Sequence, residues 1–106
     1  MIKLGLQFLN QATNFIHSLP EGDQLKIAME IESMRQGDFE SAYIKTLRGP
    51  MKELISRRSR IIFCLEGSTL YILRGFTKKS TKTPKRELEA SERIYSILME
   101  QLRQNK

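Results

Sequence analysis

The sequence of 106 residues predicts an α+β fold, in which helices pack on a small antiparallel or mixed sheet of about four strands. Apolar residues alternate with polar ones near the N-terminus, recur every three or four residues over 12–34 and 88–102, and form short runs between 51 and 76. Alternation and short runs are typical of strands, and the wider spacing is typical of amphipathic helices. The chain is short enough for one core, so we expect residues 1–106 to form a single domain.

The first third of the chain predicts a strand followed by a helical hairpin. Residues 2–8 alternate as in a half-buried strand, and Asn10 is a suitable N-cap for the helix that follows. One apolar stripe ends before Pro20, and a second ends at Gly37, a residue suited to the position just past a helix. Because the connection over residues 18–22 is short, we expect the two helices to pack against each other in an antiparallel hairpin.

The middle of the chain predicts consecutive antiparallel strands. An extended segment at 43–47 and a strand at 51–56 flank a turn at Gly49-Pro50. The strand predicted over 60–65 is apolar from Ile61 onward, which favours a central strand covered on both sides. A three-residue loop at 66–68 then leads to a strand over 70–76.

The last third predicts a basic surface loop and a C-terminal helix. Residues 77–83 contain no large apolar side chain, so we expect them to be exposed. Thr83 is expected to cap the helix with Pro84 in its first turn, where the missing N–H of proline is harmless. The apolar stripe continues to Leu102, and the chain is expected to fray from Arg103 onward.

Positive charge is concentrated between Lys45 and Arg86. This segment contains twelve basic and two acidic residues, a net charge of +10, whereas the rest of the chain carries −4. Like charges within one segment repel each other, and a bound polyanion would relieve this repulsion. The alternative is that the segment is only a basic face exposed to solvent. The longest apolar run is five residues, and no signal peptide is evident. We therefore expect a cytoplasmic protein that binds a polyanion, and the charge leaves both nucleic acid and a membrane surface open as that polyanion.

The usual groups of acid–base catalysis are nearly absent from this basic segment. Its two carboxylates, Glu53 and Glu66, are isolated, and the chain has one histidine, His17, and one cysteine, Cys64. A single cysteine excludes a disulfide and a multi-cysteine zinc site, and a thiol inside an apolar strand is expected to be inert. We expect neither a metal nor a cofactor, so any chemistry would depend on arginine, lysine, tyrosine and backbone groups.

RNA cleavage by attack of the 2′-OH on the adjacent phosphate is a reaction that such groups can catalyse. Arginine binds a phosphate through two parallel hydrogen bonds, and lysine can stabilise charge or transfer a proton. The period of two places Arg60 on the face of Ile62 and Cys64, and it places Arg74 on the face of Leu70, Ile72 and Phe76. Both arginines are expected to protrude at strand ends or across the exposed side of the sheet, with salt bridging or snorkelling as the alternative.

Three stretches resemble a known family. They are KTLRGPMKEL (45–54), RIIF (60–63) and LRGFTKKSTKTPKRELEA (73–90). Together they resemble the RelE/HigB-like toxins of bacterial type II toxin–antitoxin modules, and most of all their phage-derived HigB-like branch. The resemblance covers residues 6–94, and it is most specific over 75–90. The order of elements derived above agrees with the fold of that family.

The resemblance implies a RelE-like fold and a ribosome-dependent mRNA endonuclease, or mRNA interferase, that a small helix-turn-helix antitoxin neutralises. The partners would thus be the antitoxin, the ribosome and mRNA, and no membrane. By position, it implies that the catalytic residues are Arg60, Lys78 and Lys79. Further contacts with nucleic acid are expected from Lys52, Arg57, Arg58, Arg74, Lys82, Lys85 and Arg86.

The sequence departs from the family pattern at three positions. Ile55 stands where the E-L-R motif has arginine, Ser59 replaces the tyrosine before the strand arginine, and Arg74 stands where relatives have histidine. The general acid and base are therefore unassigned. The candidates for these roles are Lys78, Lys79 and Tyr71.

Two other functions fit the same residues. One is a regulator that binds nucleic acid without cleaving it, and the other is a gyrase-directed toxin of the ParE-like type. The basic tract has few aromatic residues nearby, only Tyr71 and Phe76, so backbone contact is favoured over a base-stacking platform. Mapping mRNA cuts in a translating extract separates the first function from both others, and a supercoiling assay identifies the third.

Overall fold

The structure, a computed structural model, describes residues 3–79 and 82–105. The described elements are β1 (Gly5–Phe8), α1 (Asn10–His17), α2 (Glu21–Arg35), β2 (Ile44–Arg48), β3 (Met51–Ser56), β4 (Ser59–Glu66), β5 (Thr69–Thr77) and α3 (Lys85–Gln104). The strands form a mixed sheet in the order β1-β5-β4-β3-β2, in which β1 is parallel to β5 and the other neighbours are antiparallel. The predicted α+β class is confirmed, with one strand more than expected.

Helices cover both faces of the sheet, which explains the uninterrupted apolar run of β4. The hairpin face packs against α1 and α2, and its buried strand residues are Leu54, Ile61, Phe63, Leu70 and Ile72. The α3 face packs against α3, and its buried strand residues are Met51, Ile62, Cys64, Tyr71, Leu73 and Phe76. Successive residues of β4 therefore enter opposite cores, as expected for a central strand.

The end of α2 follows the sequence prediction. Gly37 adopts a φ of +92°, a left-handed conformation that glycine adopts without a steric penalty. Its N–H donates to the carbonyl of Met34 at 2.9 Å, and the N–H of Asp38 donates to that of Ser33 at 2.9 Å. This pair of bonds is a Schellman motif, which satisfies the last carbonyls of the helix.

The two predicted helix N-caps are wrong. Leu9 occupies the N-cap of α1, because its N–H still donates to the Ile72 carbonyl of the sheet while its own carbonyl accepts from Thr13. Pro84 occupies the N-cap of α3, because the hydroxyl of Thr83 is bonded elsewhere. Neither helix has a side-chain cap.

The connection between β4 and β5 is one residue shorter than predicted. Glu66 pairs with Thr69, so the turn contains two residues, and Gly67 has the positive φ that a type II′ turn requires at its first central position. Glu66 stays in the strand although it is polar. Its carboxylate accepts a hydrogen bond from the hydroxyl of Tyr95 on α3 at 3.0 Å.

A β-bulge in β5 overturns the predicted face of Arg74. Ile62 pairs with Arg74 but the next residue of β4 pairs with Ile72, so Leu73 is an extra residue opposite β4. The insertion resets the alternation along β5. Leu70 and Ile72 lie on the hairpin face, whereas Arg74 lies on the α3 face. Arg74 shares that face with Phe76, so this part of the prediction is confirmed.

The C-terminal helix extends further than predicted, since it continues through Gln104 and Arg103 pairs with Glu100 within it. No described helix has the length and apolar character needed to cross a membrane. Ser80 and Thr81 of the predicted loop, Ile2 of the predicted first strand and the terminal Lys106 lie outside the described residues.

Candidate nucleic-acid interface

The strand register gathers basic residues at one end of the sheet. Arg57 and Arg58 form the turn between β3 and β4, and the N–H of Lys78 donates to the carbonyl of Arg58 at 2.8 Å. The start of β2 reaches the same end, because the N–H of Ile55 donates to the carbonyl of Tyr43 at 2.8 Å. We call this end of the sheet the cationic end, and it comprises Tyr43, Lys45, Arg57, Arg58, Arg60, Lys78 and Lys79.

Arg60 has a fixed orientation, and no carboxylate in the described part of the chain pairs with it. It lies on the α3 face between Ile55 of β3 and Phe76 of β5, its partners in the sheet. Its Nη1 donates to the carbonyls of Arg57 at 2.7 Å and Ser59 at 3.0 Å. It forms no ion pair with any carboxylate of the described residues, and its buried Nε has no hydrogen-bond partner. A half-buried guanidinium without a counter-charge is a favourable site for an anion.

Arg57 is held by an ion pair instead. It has a φ of +56°, which residues other than glycine rarely adopt and which costs about 1–3 kcal/mol. Its Nη1 lies 2.7 Å from Oδ1 of Asp23 on α2. The turn that precedes Arg60 is thus attached to the helical hairpin.

Arg74 also has a carboxylate partner. Its Nε donates to Oε1 of Glu87 at 2.7 Å, and its Nη1 bonds to Oε1 of Gln11. Arg74 therefore connects β5 to both α1 and α3. Arg86 lies on the solvent side of the same carboxylate, with its Nε 3.8 Å from Oε2 of Glu87.

The other predicted contact residues are spread more widely. Lys52 lies on the hairpin face, where its Nζ bonds to the hydroxyl of Thr46 at 3.4 Å, so the structure does not bring it to Arg60. Lys82 precedes α3 and Lys85 begins it, and both are exposed. The predicted residues that the structure does bring together at the cationic end are Arg57, Arg58, Arg60, Lys78 and Lys79.

Glu53 is a buried polar residue that sequence reasoning treated as isolated. Glu53 is 0% exposed on the α3 face, and its Oε2 accepts a hydrogen bond from the hydroxyl of Thr83 at 3.0 Å, whereas Oε1 has no hydrogen-bond partner among the described residues. The contact attaches the last residues of the basic loop to β3. Thirty residues separate the partners, and no spacing rule could have shown the contact.

Tyr43 is an aromatic residue that sequence reasoning missed. Tyr43 is 72% exposed, and it lines a shallow pocket of about 610 Å³ with Lys45, Ile55 and Lys78. The signal in the sequence was its position two residues before the start of the basic segment.

Tyr71 is excluded from proton transfer at Arg60, so that prediction is wrong. Tyr71 is buried in the core of the α3 face opposite Cys64, four residues along β4 from Arg60 and therefore about 13 Å away. Burial raises the pKa of the Cys64 thiol to about 12, which keeps it protonated, as expected for an inert cysteine.

The other candidate residues that the structure describes form no alternative catalytic or metal centre. His17 is exposed on α1, where it lines an apolar groove together with Leu25 of α2. Among the described residues, no three His, Cys, Asp or Glu side chains are grouped as a metal site requires.

The five-strand mixed sheet, the helical hairpin and the cationic strand ends define a small RelE-like α+β protein. The chain belongs to the family of phage-derived Gp49-like proteins, which it matches over residues 14–96. The resemblance that the motifs indicated is thereby confirmed in family and fold. A comparison with curated protein sequences gives no match.

Three solved structures show the same fold at low sequence identity. A RelBE toxin–antitoxin complex from Mycobacterium tuberculosis matches with a TM-score of 0.60 and 16% identity, over 73% of this chain and 100% of that chain. An archaeal RelE–RelB complex from Pyrococcus horikoshii OT3 matches with a TM-score of 0.60 and 14% identity, over 72% and 96%. A mutant of the E. coli toxin RelE in the free state matches with a TM-score of 0.57 and 14% identity, over 88% and 99%.

Proposed function

We propose that this chain is the toxin of a type II toxin–antitoxin module and that it inhibits translation by cutting mRNA on the ribosome. The main support for the proposal is the cationic end. Arg60, Lys78 and Lys79 lie together there, and none of them has a carboxylate partner among the described residues. Family membership and the RelE-like fold support it, because the structures of similar fold are toxins, two of them bound to an antitoxin. Residues 1–106 would act as one cytoplasmic domain, in the compartment that contains ribosomes.

The proposed reaction uses the RNA's own nucleophile. The 2′-oxygen attacks the adjacent phosphorus, the new O2′–P bond forms, and the bond from phosphorus to the 5′-oxygen breaks. The products are a 2′,3′-cyclic phosphate and a 5′-hydroxyl. One proton leaves the 2′-OH and one reaches the departing 5′-oxygen, and negative charge accumulates on the non-bridging oxygens of the pentacovalent phosphorane between these steps.

Each proposed catalytic residue meets one of these needs. Arg60 binds the non-bridging oxygens, because two backbone carbonyls already fix its guanidinium and stabilisation of developing charge is strongest from preoriented donors. Lys78 and Lys79 stabilise the same charge and are the candidates for moving the two protons. Arg58, Lys82, Lys85 and Arg86 would contact flanking phosphates, which adds affinity without sequence preference.

The second proposed partner is a helix-turn-helix antitoxin. An acidic antitoxin segment would relieve the same repulsion among the cations as RNA does, so both would compete for the cationic end. The RelE–RelB complexes of similar fold support an antitoxin as a partner.

The experiment that tests the proposal maps mRNA 5′ ends by primer extension after the purified protein is added to a translating bacterial extract. We expect new cuts within translated codons with the wild type and with Arg93→Ala, which removes one exposed charge from α3. We expect none with Arg60→Ala, and reduced cutting with Arg60→Lys, which keeps the charge and loses bidentate binding. Thermal unfolding confirms that each variant is folded.

Two results would contradict the proposal. Intact mRNA with the wild type would exclude cleavage, and a supercoiling assay would then show whether the target is gyrase. Unchanged cuts with Arg60→Ala would exclude Arg60 as the residue that binds the phosphate.

A further inference from the structure

Tyr43 is exposed in a way that its own packing does not explain. It precedes β2 at the sheet edge, and it is 72% exposed, more than any other large apolar or aromatic residue among the described ones. The other two tyrosines have structural roles, since Tyr71 is buried in the core and Tyr95 bonds to Glu66. The ring of Tyr43 therefore contributes little to the fold.

The backbone of Tyr43 is nevertheless fixed. Its carbonyl accepts a hydrogen bond from Ile55 at 2.8 Å, and the next residue, Ile44, pairs with Leu54. The ring is thus presented from a strand end rather than from a free loop. A preordered aromatic surface loses less conformational entropy when a ligand stacks on it.

The residues around Tyr43 indicate what kind of ligand would bind there. The pocket of about 610 Å³ beside the ring is lined by Lys45, Lys78 and Ile55, and by no carboxylate. Tyr43 lies opposite Ile55, which in turn lies opposite Arg60, so two strand spacings of about 10 Å in total separate Tyr43 from Arg60. A flat apolar group attached to an anion, which is the chemistry of a nucleotide, fits an aromatic ring flanked by lysines.

We propose that Tyr43 stacks on a base of the single-stranded RNA whose phosphate binds at Arg60. This inference rests on the proposed function for the identity of the polyanion, and it adds a base contact to a site otherwise built of phosphate contacts. Stacking tolerates every base, because each has a π face, so Tyr43 positions the strand and imposes little sequence preference. Lys45 and Lys78 contact the phosphates on either side of the stacked base.

The proposal is tested by binding in the absence of ribosomes. The probes are a 2′-O-methyl oligoadenylate, which cannot be cleaved by its own 2′-oxygen, and an abasic strand of equal length. At low salt we expect the wild type to bind the oligoadenylate more tightly than the abasic strand by between about 5-fold and 150-fold, the range for one stacked base. Tyr43→Ala should lose this difference, Tyr43→Phe should keep it, and Phe8→Ala should keep it because β1 forms the opposite edge of the sheet.

A spectroscopic signal accompanies the binding test. The chain contains three tyrosines and no tryptophan, so its intrinsic fluorescence comes from tyrosine. Oligoadenylate should quench the emission of the wild type by stacking on Tyr43, and it should leave that of Tyr43→Ala unchanged.

Equal affinity of the wild type for both strands, or an unchanged preference in Tyr43→Ala, would overturn the stacking site. So would the absence of any binding by the wild type. Because ribosomes are not needed, the result is independent of the cleavage test. If base-dependent binding is found but mRNA stays intact in the translating extract, the stacking site is supported and the proposed cleavage is contradicted. If mRNA is cut but binding does not depend on the base, only the stacking site is contradicted.

Discussion

The carboxyl group of Glu53 shows how single residues position the cationic end. It is buried on β3, and its bond to Thr83 fixes the residue at which the basic loop meets α3. A buried acceptor that loses its donor keeps the cost of its desolvation, about 1–3 kcal/mol. The sequence contained both residues within family motifs, but their contact depends on strand pairing that only the folded chain defines.

Replacement of Thr83 by valine is therefore expected to destabilise the protein. We predict that Thr83→Val lowers the free energy of unfolding by about 1–3 kcal/mol, measured by urea denaturation. Thr46→Val is the matched control, because the hydroxyl of Thr46 is exposed and its loss should change stability by less than about 0.5 kcal/mol. Equal stability of the two variants would contradict a structural role for the bond between Thr83 and Glu53.

The thiol of Cys64 gives a prediction about pH. Burial raises its pKa from 9.0 to about 12, so above pH 9 the unfolded state releases the proton while the native state retains it. This contribution to stability is complete below pH 9 and is lost as pH rises towards 12. The free energy of unfolding should thus fall more steeply over this range in the wild type than in Cys64→Ala; parallel profiles would exclude a raised pKa.

At the scale of the elements, sequence periodicity predicted most helices and strands and failed where the pattern is interrupted. The bulge at Leu73 reverses the alternation of β5, and an uninterrupted period of two therefore assigned Arg74 to the wrong face. The parallel pairing of β1 with β5 and the position of Tyr43 beside Lys78 depend on tertiary register. By contrast, the end of α2 at Gly37 was predictable, because a left-handed residue after a helix has a local sequence signal.

The close packing of α1 on β5 predicts that a side chain at Gly75 destabilises the protein. A Cβ added at Gly75 would lie 2.3 Å from the ring of Phe15, so α1 approaches β5 too closely for any side chain there. We predict that Gly75→Ala destabilises the protein by about 1–3 kcal/mol through overpacking. Gly22→Ala on α2 is the control, since a Cβ there meets no atom within 4 Å and should be neutral or stabilising. Thermal unfolding measures both, and a stable Gly75→Ala variant would contradict the close packing of α1.

The molecule as a whole combines a folded core with an uneven distribution of charge. Several cations of the basic segment are neutralised by carboxylates of the helices, as Arg57 is by Asp23, Arg74 by Glu87 and Arg48 by Glu92. The net charge counted from the sequence could not show which of these cations form ion pairs with carboxylates in the fold. Arg60, by contrast, has no carboxylate partner among the residues that the structure describes, and it lies at the cationic end.

The salt dependence of RNA affinity measures the contacts between the cationic end and phosphates. Each phosphate contact adds about −0.7 to the slope of log affinity against log salt for a single strand. We predict that Lys78→Ala makes the slope for oligoadenylate less negative by about 0.7. Arg103→Ala should leave it unchanged, because Arg103 pairs with Glu100 near the end of α3. Equal slopes for the wild type and Lys78→Ala would show that Lys78 does not contact phosphate.

The measurement that tests the central claim most directly is cleavage of a defined mRNA on purified ribosomes, with a single 2′-deoxy nucleotide at the mapped cut. If RNA bound at the cationic end supplies its own nucleophile, the wild type should cut the all-ribose message to give a 2′,3′-cyclic phosphate, and it should leave the substituted position intact. A cut of equal efficiency at the 2′-deoxy position would contradict the account, because the nucleophile would then come from water or from the protein.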